Sequence, residues 1–410
     1  MNSFSILIVI VVIIAASSST TEAFHLMRSS SFSRKNNKNL INQQKYYPCV
    51  CKNTSLCRPL TTPLPEKEFL MFQTNSTNWR TYDWRYVTSI ALFGGYDPEM
   101  LCAAHERGVR VLMSTEGVPP NQLANATARS ELTTQAVQTV VENGWDGINL
   151  DFEFPLPADS AEEKLLTVMT QELQQRLKKA NPHYSFSMDV AWSSNNIDGR
   201  NYEYDKLVEI CDFVAIMDYD TRSQVFKGPP CFGGPNSPAS TLFEGVASYL
   251  KLPSASSKKL VLGLPWYGYV YPCLNAESLS FEECQIPSVP FRGCPCSDAA
   301  GGQIIFSDIM QKARNSSFPH SAIITNTDMS KNETGSFATF NAIWPDPTYP
   351  GTKYRKFYFD NADTLREKYA AAKDLNLRGL AIWSVDMIYA TSKESARDAK
   401  EMWDAFSAFV

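Results

Sequence analysis

The sequence has few of the residues that metal sites and nucleic-acid surfaces require. It contains 4 histidines among 410 residues, and no two of its 10 cysteines have the Cys-x-x-Cys spacing that is typical of zinc sites. Acidic residues (43) outnumber lysine and arginine (38), and the formal net charge is -5. A protein that neutralises phosphates needs a basic surface. We therefore expect neither a metal site nor a nucleic-acid partner.

Long apolar runs are also scarce, and the clearest one lies near the N-terminus. Residues 4–16 are almost entirely apolar, but they are fewer than the about 20 that a membrane-spanning helix needs. Small and polar residues follow as far as Ala23, so residues 1–23 are predicted to be a signal peptide. No lysine or arginine precedes the run, which keeps an uncleaved anchor as the alternative. After signal cleavage we expect no membrane segment.

The region after the predicted signal divides into two short segments. Residues 24–48 are polar and basic and predict a flexible leader, whereas the Cys- and Pro-rich residues 49–66 predict a small cap. All 10 cysteines follow the signal, and their even number in an exported chain favours disulfides whose connectivity stays open. Glycosylation is expected at the Asn-x-Ser/Thr sequons, which begin at Asn53, Asn75, Asn125, Asn315 and Asn332.

From residue 67 onward, short apolar runs alternate with amphipathic stretches. Eight strands that alternate with helices predict an α/β fold of the (β/α)8 TIM-barrel type over residues 67–410. The interval between the seventh and eighth strands is too long for one crossover, so residues 269–355 are predicted to form an inserted subdomain. The predicted strands cover 68–73, 87–93, 109–114, 145–153, 185–192, 211–219, 260–267 and 378–385, and the clearest helices 128–143, 160–180, 203–210, 241–252, 361–376 and 392–408.

The fourth predicted strand, at residues 145–153, carries polar residues at alternate positions. Alternate residues of a strand share a face, so one face is apolar and suits packing against helices. The polar face would point into the barrel and would end at the carboxyl end of the strand, where such barrels have their active sites. The apolar face consists of Ile148, Leu150 and Phe152, and the polar face of Asn149, Asp151 and Glu153.

Asp151 and Glu153 would lie about 6–7 Å apart and would repel each other if both were ionised in a partly dry barrel. One of the two should therefore hold a proton above its usual pKa. A protonated Glu153 could donate that proton to a glycosidic oxygen as the bond breaks. The alternative is an ordinary strand with one solvated face. A histidine-based triad has little support, because all histidines fall outside the predicted strand ends.

Residues 146–153 (Asp-Gly-Ile-Asn-Leu-Asp-Phe-Glu) resemble the Asp-Gly-x-Asp-x-Asp-x-Glu signature of glycoside hydrolase family 18, the chitinases and their relatives. Three further segments resemble the family's sixth, seventh and eighth barrel strands. They are Ile-Met-Asp-Tyr-Asp at 216–220, Leu-Gly-Leu-Pro-Trp-Tyr-Gly at 262–268 and Gly-Leu-Ala-Ile-Trp at 379–383. The resemblance extends over most of residues 49–410.

The sequence departs from the family pattern at two places. Asn149 stands where the wider family has Asp, and an amide cannot share a proton with Asp151. Residues 114–117 fit the third-strand motif only loosely, which affects the backbone of one loop rather than the chemistry.

The resemblance implies a retaining, substrate-assisted glycosidase that needs no metal or organic cofactor. Glu153 would be the proton donor, Asp151 would hydrogen-bond the substrate's acetamido N–H, and Tyr219 would hold the acetamido oxygen. The substrate-binding residues would be Asn149, Met217, Asp220, Trp383 beneath the reacting sugar, and Trp192 as a further cleft residue.

The substrates that the resemblance implies are oligosaccharides of N-acetylglucosamine (GlcNAc). The favoured reaction is cleavage of the GlcNAcβ1-4GlcNAc core left from degraded N-linked glycans, in a lysosome or a related acidic compartment. One alternative is a secreted chitinase that acts on longer chitin oligomers. The other is a non-catalytic lectin on the same barrel, which the presence of both Asp151 and Glu153 disfavours. The sequence gives no indication of the oligomeric state.

Overall fold

The computed structural model describes residues 47–280, 283–317, 319–330 and 352–410, together with the backbone of 335–341. The predicted signal peptide (1–23), nearly all of the predicted leader (24–48) and the sequon at Asn332 lie outside the described residues. Among the described residues, no helix has the length and apolar character to cross a membrane.

The described part of the chain contains fifteen strands and eight α-helices. In chain order the strands are β1 (Glu68–Gln73), β2 (Ser89–Leu92), β3 (Arg110–Thr115), β4 (Gly147–Leu150), β5 (Ser185–Ala191), β6 (Phe213–Met217), β7 (Cys231–Phe232), β8 (Leu260–Pro265), β9 (Tyr267–Pro272), β10 (Gln285–Ile286), β11 (Gly302–Ile305), β12 (Ile324–Asn326), β13 (Gly335–Asn341), β14 (Tyr354–Phe359) and β15 (Gly379–Trp383). The helices are α1 (Pro98–Glu106), α2 (Ala126–Asn143), α3 (Ala161–Ala180), α4 (Tyr204–Ile210), α5 (Ala239–Leu250), α6 (Phe306–Arg314), α7 (Ala362–Asp374) and α8 (Lys393–Asp404).

Eight parallel strands close into a barrel in the order β1-β2-β3-β4-β5-β6-β8-β15, and β15 pairs with β1. The predicted (β/α)8 fold is therefore confirmed. The barrel strands are buried on both faces, because helices cover the outside and side chains fill the interior. The interior is occupied by Leu70, Phe72, Ala91, Phe93, Leu112, Phe213, Ala215, Val261 and Ala381.

Two helices were not among the predicted ones: α1 and α6. The start of α1 has a recognisable signal, because Asp97 accepts a hydrogen bond from the backbone N–H of Glu99 and Pro98 occupies the first turn. The helix α6 follows β11 within the inserted region and has no such side-chain cap.

The Cys-rich segment packs against the barrel through Asp146, just before β4. The carboxylate of this buried residue accepts hydrogen bonds from the backbone N–H groups of Leu60 (2.7 Å) and Val111 (2.8 Å), and lies 2.8 Å from Nε2 of His105. Gly144 caps α2 with φ 66°, and a Cβ there would lie 2.1 Å from the carbonyl oxygen of Cys57. Asp146 and Gly144 therefore serve the attachment of this segment.

The region between β8 and β15 contains a five-stranded antiparallel sheet in the order β11-β9-β14-β13-β12. This sheet begins at Tyr267 and its last strand ends at Phe359, whereas the predicted insertion covered residues 269–355. The difference arises because β9 follows β8 after a single residue, so the apolar pattern continues across the boundary.

Eight cysteines of the described residues form disulfides, in agreement with the expectation from their even number. Two bonds hold the N-terminal segment, and one of these reaches α1. Another joins the loop after β6 to the inserted region, while Cys211 and Cys294 are free and buried. The pairs are Cys49–Cys57, Cys51–Cys102, Cys231–Cys296 and Cys273–Cys284.

Candidate active site

The side chain of Asn149 lies inside the barrel and contacts the neighbouring strand β5. Its amide nitrogen is 3.0 Å from Oδ1 of Asp189 and 3.1 Å from Oγ of Ser187, and its oxygen is 3.5 Å from Oγ of Ser114. A side-chain amide has two N–H donors, and both are directed to β5. Asn149 therefore has no donor left for Asp151.

Asp151 follows β4 at the carboxyl end of the barrel. Its backbone N–H donates to the carbonyl oxygen of Thr115 at 2.8 Å, and its side chain is buried. Among the described residues its Oδ1 has no hydrogen-bond partner, although that atom is inaccessible to solvent. Burial, and then the neighbouring carboxylates of Glu153 and Asp189, raise the pKa of Asp151 well above its usual value. The raised pKa expected of the pair is thus found on Asp151.

Glu153 is the more accessible carboxylate of the pair, with 35% of its side chain exposed. Its Oε2 accepts a hydrogen bond from Nη2 of Arg200 at 2.5 Å. Arg200 lies on the loop after β5 and was not predicted. Its only sequence signal is its position two residues after Asp198, at the end of a stretch that resembles relatives in the family.

Asp189 of β5 was also missed among the predicted site residues. It is 2% exposed, and burial raises its pKa well above the usual value, with Asn149 opposing the shift and Glu153 adding to it. Ser185, Ser187 and Asp189 occupy alternate positions of one strand, and this polar alternation was visible in the sequence. It indicates a polar inner face of β5 beside that of β4.

An aromatic group lies at the ends of β6 and β15. The ring of Tyr219 stacks on that of Trp383 with centroids 6.4 Å apart and planes 24° apart. Trp383 in turn contacts the rings of Phe93 (4.9 Å) and Phe72 (5.4 Å) from the barrel interior. Burial raises the pKa of Tyr219 well above its usual value, so its phenol stays an O–H donor. Met217, two residues before Tyr219, is buried in the same cluster.

Asp220 joins the end of β6 to the inserted sheet. Its Oδ1 accepts hydrogen bonds from the hydroxyls of Tyr267 (2.5 Å) and Tyr269 (3.0 Å), and Nε2 of Gln303 lies 3.3 Å from Oδ2. Its backbone adopts φ 52° and donates to Oδ1 of Asn236 at 2.7 Å. Burial raises the pKa of Asp220 to about 6. Sugar binding by Asp220 stays a prediction, and it would have to use Oδ2, since Oδ1 is already engaged.

Trp192 is not brought together with these residues. Position 192 follows β5 in the outward register, and an added Cβ on Gly245 of α5 would lie 3.7 Å from the Trp192 ring. The side chain therefore packs on the helix side of the barrel. A role for Trp192 in substrate binding has no support from this position.

Metal-ligand geometry is limited in the described part of the chain. The cluster of three close candidate ligands found there is Cys49, Cys51 and Cys57, and all three sulfurs are used in disulfides.

Two carboxyl groups at the end of β4, an aromatic platform and a neutral tyrosine define the site of a glycoside hydrolase on a TIM barrel. The chain belongs to the glycosyl hydrolases of family 18, whose family model matches residues 56–387. The resemblance stated from the sequence motifs is therefore confirmed.

The relatives in sequence include three proteins that are similar over nearly their whole length. The chain is 37% identical over 365 residues to a probable di-N-acetylchitobiase 2 of Dictyostelium discoideum, which covers 88% of this chain and 90% of the relative. It is 33% identical to the di-N-acetylchitobiase of Mus musculus (87% and 92% covered) and 32% identical to that of Homo sapiens (87% and 87%).

Solved structures show the same fold at lower identity. A family 18 chitinase variant from Cycas revoluta in complex with (GlcNAc)4 superposes with a TM-score of 0.61 at 17% identity, covering 82% of this chain and 99% of that one. A class V chitinase variant from Nicotiana tobaccum in complex with NAG4 gives a TM-score of 0.59 at 18% identity, covering 82% and 98%.

Proposed function

We propose that this glycoside hydrolase cleaves the GlcNAcβ1-4GlcNAc bond of the core disaccharide that remains from degraded N-linked glycans. The observation that carries the proposal is the carboxyl of Asp151, which is buried beside Glu153 with one oxygen unpartnered in the described structure. An unsatisfied buried oxygen is costly unless a ligand satisfies it. The acetamido N–H of a GlcNAc residue is a donor of the required kind. The similarity to di-N-acetylchitobiases over about nine-tenths of the chain supports the disaccharide as substrate.

In the first step, Glu153 would donate a proton to the bridging oxygen while the substrate's own acetamido oxygen attacks the anomeric carbon. The glycosidic bond breaks, the reducing-end sugar leaves, and an oxazolinium ion forms with retention set up by this internal attack. The ionised form of Asp151 would balance the positive charge, and the hydroxyl of Tyr219 would hold the acetamido oxygen in place.

In the second step, water would attack the anomeric carbon from the face that the leaving sugar vacated. Glu153, now a carboxylate, would accept the proton of that water, and the ring of the oxazolinium ion would open to regenerate the acetamido group. Trp383 would lie beneath the reacting sugar, because its ring is partly exposed and is braced by Phe72 and Phe93. Every bond change in this sequence is carried by Glu153, the substrate and water.

An acidic, oxidising compartment fits these residues best, and we propose the lysosome, with secretion as the other outcome. The four disulfides of the described residues require an oxidising route of folding. Several buried carboxyls with raised pKa, including Asp151 and Asp220, would be neutral and well accommodated at acidic pH.

The test is hydrolysis of di-N-acetylchitobiose at acidic pH, with its reducing end free or blocked, by the wild type and by Glu153→Gln. We expect cleavage of the free disaccharide, weak cleavage of the blocked one, and a loss of about 100-fold or more in the variant. Preferential turnover of longer chitin oligomers would instead indicate a chitinase. Binding of the sugars without any cleavage by the wild type would indicate a lectin and refute the mechanism.

A further inference from the structure

Arg200 contacts the carboxylate that the proposed mechanism uses as acid and base. Its Nη2 is 2.5 Å from Oε2 of Glu153, and its side chain is only 12% exposed, compared with 35% for Glu153. Among the described residues, the buried Nε of Arg200 has no hydrogen-bond partner. A largely buried guanidinium directed at one exposed carboxylate is more than an ordinary surface ion pair, whose contribution is small.

The backbone around this pair is fixed on both sides. The N–H of Leu156, three residues after Glu153, donates to the carbonyl oxygen of Gly199 at 2.9 Å, and the hydroxyl of Tyr204 donates to the carbonyl oxygen of Arg200 at 3.0 Å. The hydroxyl of Tyr202 lies 2.6 Å from the carbonyl oxygen of Phe154 and 3.1 Å from that of Phe152. The segments that carry Arg200 and Glu153 are thus joined directly, and neither can shift alone.

Asp198 supports Arg200 from the other side. Its Oδ2 is 3.8 Å from Nη2 of Arg200, while its Oδ1 accepts a hydrogen bond from Oγ of Ser223 at 2.8 Å. The backbone N–H of Asp198 donates to Oε1 of Gln224 at 2.8 Å. Asn196 and Asp198 both have positive φ (56° and 55°), a conformation that is unfavourable for residues other than glycine. Such conformations persist where surrounding contacts hold them, and they are frequent at functional sites.

We propose that Arg200 is a positioning residue that orients Glu153 for proton transfer and offsets the negative charge that develops on Glu153 as its proton leaves. The proposal rests on the proposed function, because it requires Glu153 to be the proton donor. An interaction that strengthens as the proton moves lowers the barrier without tightening substrate binding. Arg200 should therefore affect kcat rather than KM.

This role predicts a dependence on the leaving group. A sugar leaving group needs protonation as it departs, whereas a 2,4-dinitrophenolate leaves without it. We expect Arg200→Met to lower kcat for di-N-acetylchitobiose by about 10- to 100-fold, within the about 10²- to 10⁴-fold that general acid catalysis supplies. For 2,4-dinitrophenyl N-acetyl-β-glucosaminide we expect a loss below about threefold, and KM for the disaccharide should stay within about threefold. Arg200→Lys, which keeps the charge, should recover part of the loss.

Arg129→Met is the matched control for removal of a buried arginine. Arg129 of α2 is 8% exposed and lies 3.4 Å from Oε1 of Glu172 on α3, so this variant loses a similar ion pair away from the site. We expect both substrates to be hydrolysed as by the wild type. Thermal unfolding of all variants shows whether a loss of activity reflects a loss of folded protein.

The outcomes separate this proposal from the proposed function. If Glu153→Gln keeps full activity, the proposed function fails. If Glu153→Gln is inactive but Arg200→Met is as active as the wild type on the disaccharide, only the role of Arg200 fails. Equal losses on both substrates in a folded Arg200→Met protein, or a loss confined to KM, would also overturn it, since a structural or substrate-binding role would then suffice. If the wild type does not hydrolyse the aryl substrate, the separate values of kcat and KM for the disaccharide decide.

Discussion

Asn149 and Asp189 form a buried pair whose hydrogen-bond polarity can be reversed by exchanging the two residues. Asn149 is fully buried and Asp189 is 2% exposed, and the amide donates to both Asp189 (3.0 Å) and Ser187 (3.1 Å). The variant Asn149→Asp removes both donors and adds a carboxylate opposite an existing one. A hydrogen bond to a charged group contributes about 1.5–3 kcal/mol, and an unpaired buried charge costs about 3–5 kcal/mol.

We therefore expect Asn149→Asp to lower the free energy of unfolding by about 3–5 kcal/mol at pH 7.5. For a domain of this size the melting temperature should fall by roughly 5–10 °C. At pH 4.5 the loss should be smaller, because a protonated carboxyl at position 149 can again donate to Asp189. The double variant Asn149→Asp/Asp189→Asn restores one amide and one carboxyl on the same two strands. It should regain at least half of the stability lost at pH 7.5.

The measurement is calorimetric unfolding of the wild type, both single variants and the double variant at pH 4.5 and 7.5. Asp189→Asn serves as the control, since two facing amides can still form a hydrogen bond and should cost about 1 kcal/mol. The reasoning would be refuted if the two single effects simply added in the double variant. A loss for Asn149→Asp that is equal at both pH values would refute the electrostatic part.

Three further predictions concern pH, the platform and a disulfide. Burial raises the pKa of Asp218 and of Asp220 to about 6, above the unfolded value near 3.8, so their stabilising contribution should be complete below about pH 4 and lost as the pH rises through 6; the melting temperature should be higher at pH 4.5 than at 7.5, and the reverse order would contradict this. Tyr219→Phe removes the neutral donor and should lower kcat for the disaccharide by about 10- to 100-fold with an unchanged melting temperature, whereas unchanged kcat would exclude a role for its hydroxyl. Replacing Cys231 and Cys296 by serine opens a loop of 65 residues and should destabilise the protein by about 4 kcal/mol in chemical unfolding, and an unaltered unfolding midpoint would show that this bond adds nothing.

The sequence by itself determined the barrel and the acidic end of its fourth strand. Eight apolar runs with helical stretches between them have few alternatives to a closed parallel sheet, because buried parallel strands need covering on both faces. The alternation of residues 148–153 follows directly from strand geometry and identifies Asn149, Asp151 and Glu153 as inward-facing. A long family signature on that same strand added the proposed chemistry. All of this information is local in the chain.

Tertiary structure decided which residues from other strands meet this acidic end. Asp189 contacts Asn149 from 40 residues away, and Arg200 contacts Glu153 from 47 residues away. No periodicity in the sequence encodes such meetings, because they depend on the pairing of β4 with β5 and on the path of one loop. The same reason placed Trp192 against α5 and left the partner of each cysteine open until the chain was folded. The sequence determines which side chains face inward, and strand register and loop geometry determine which of them touch.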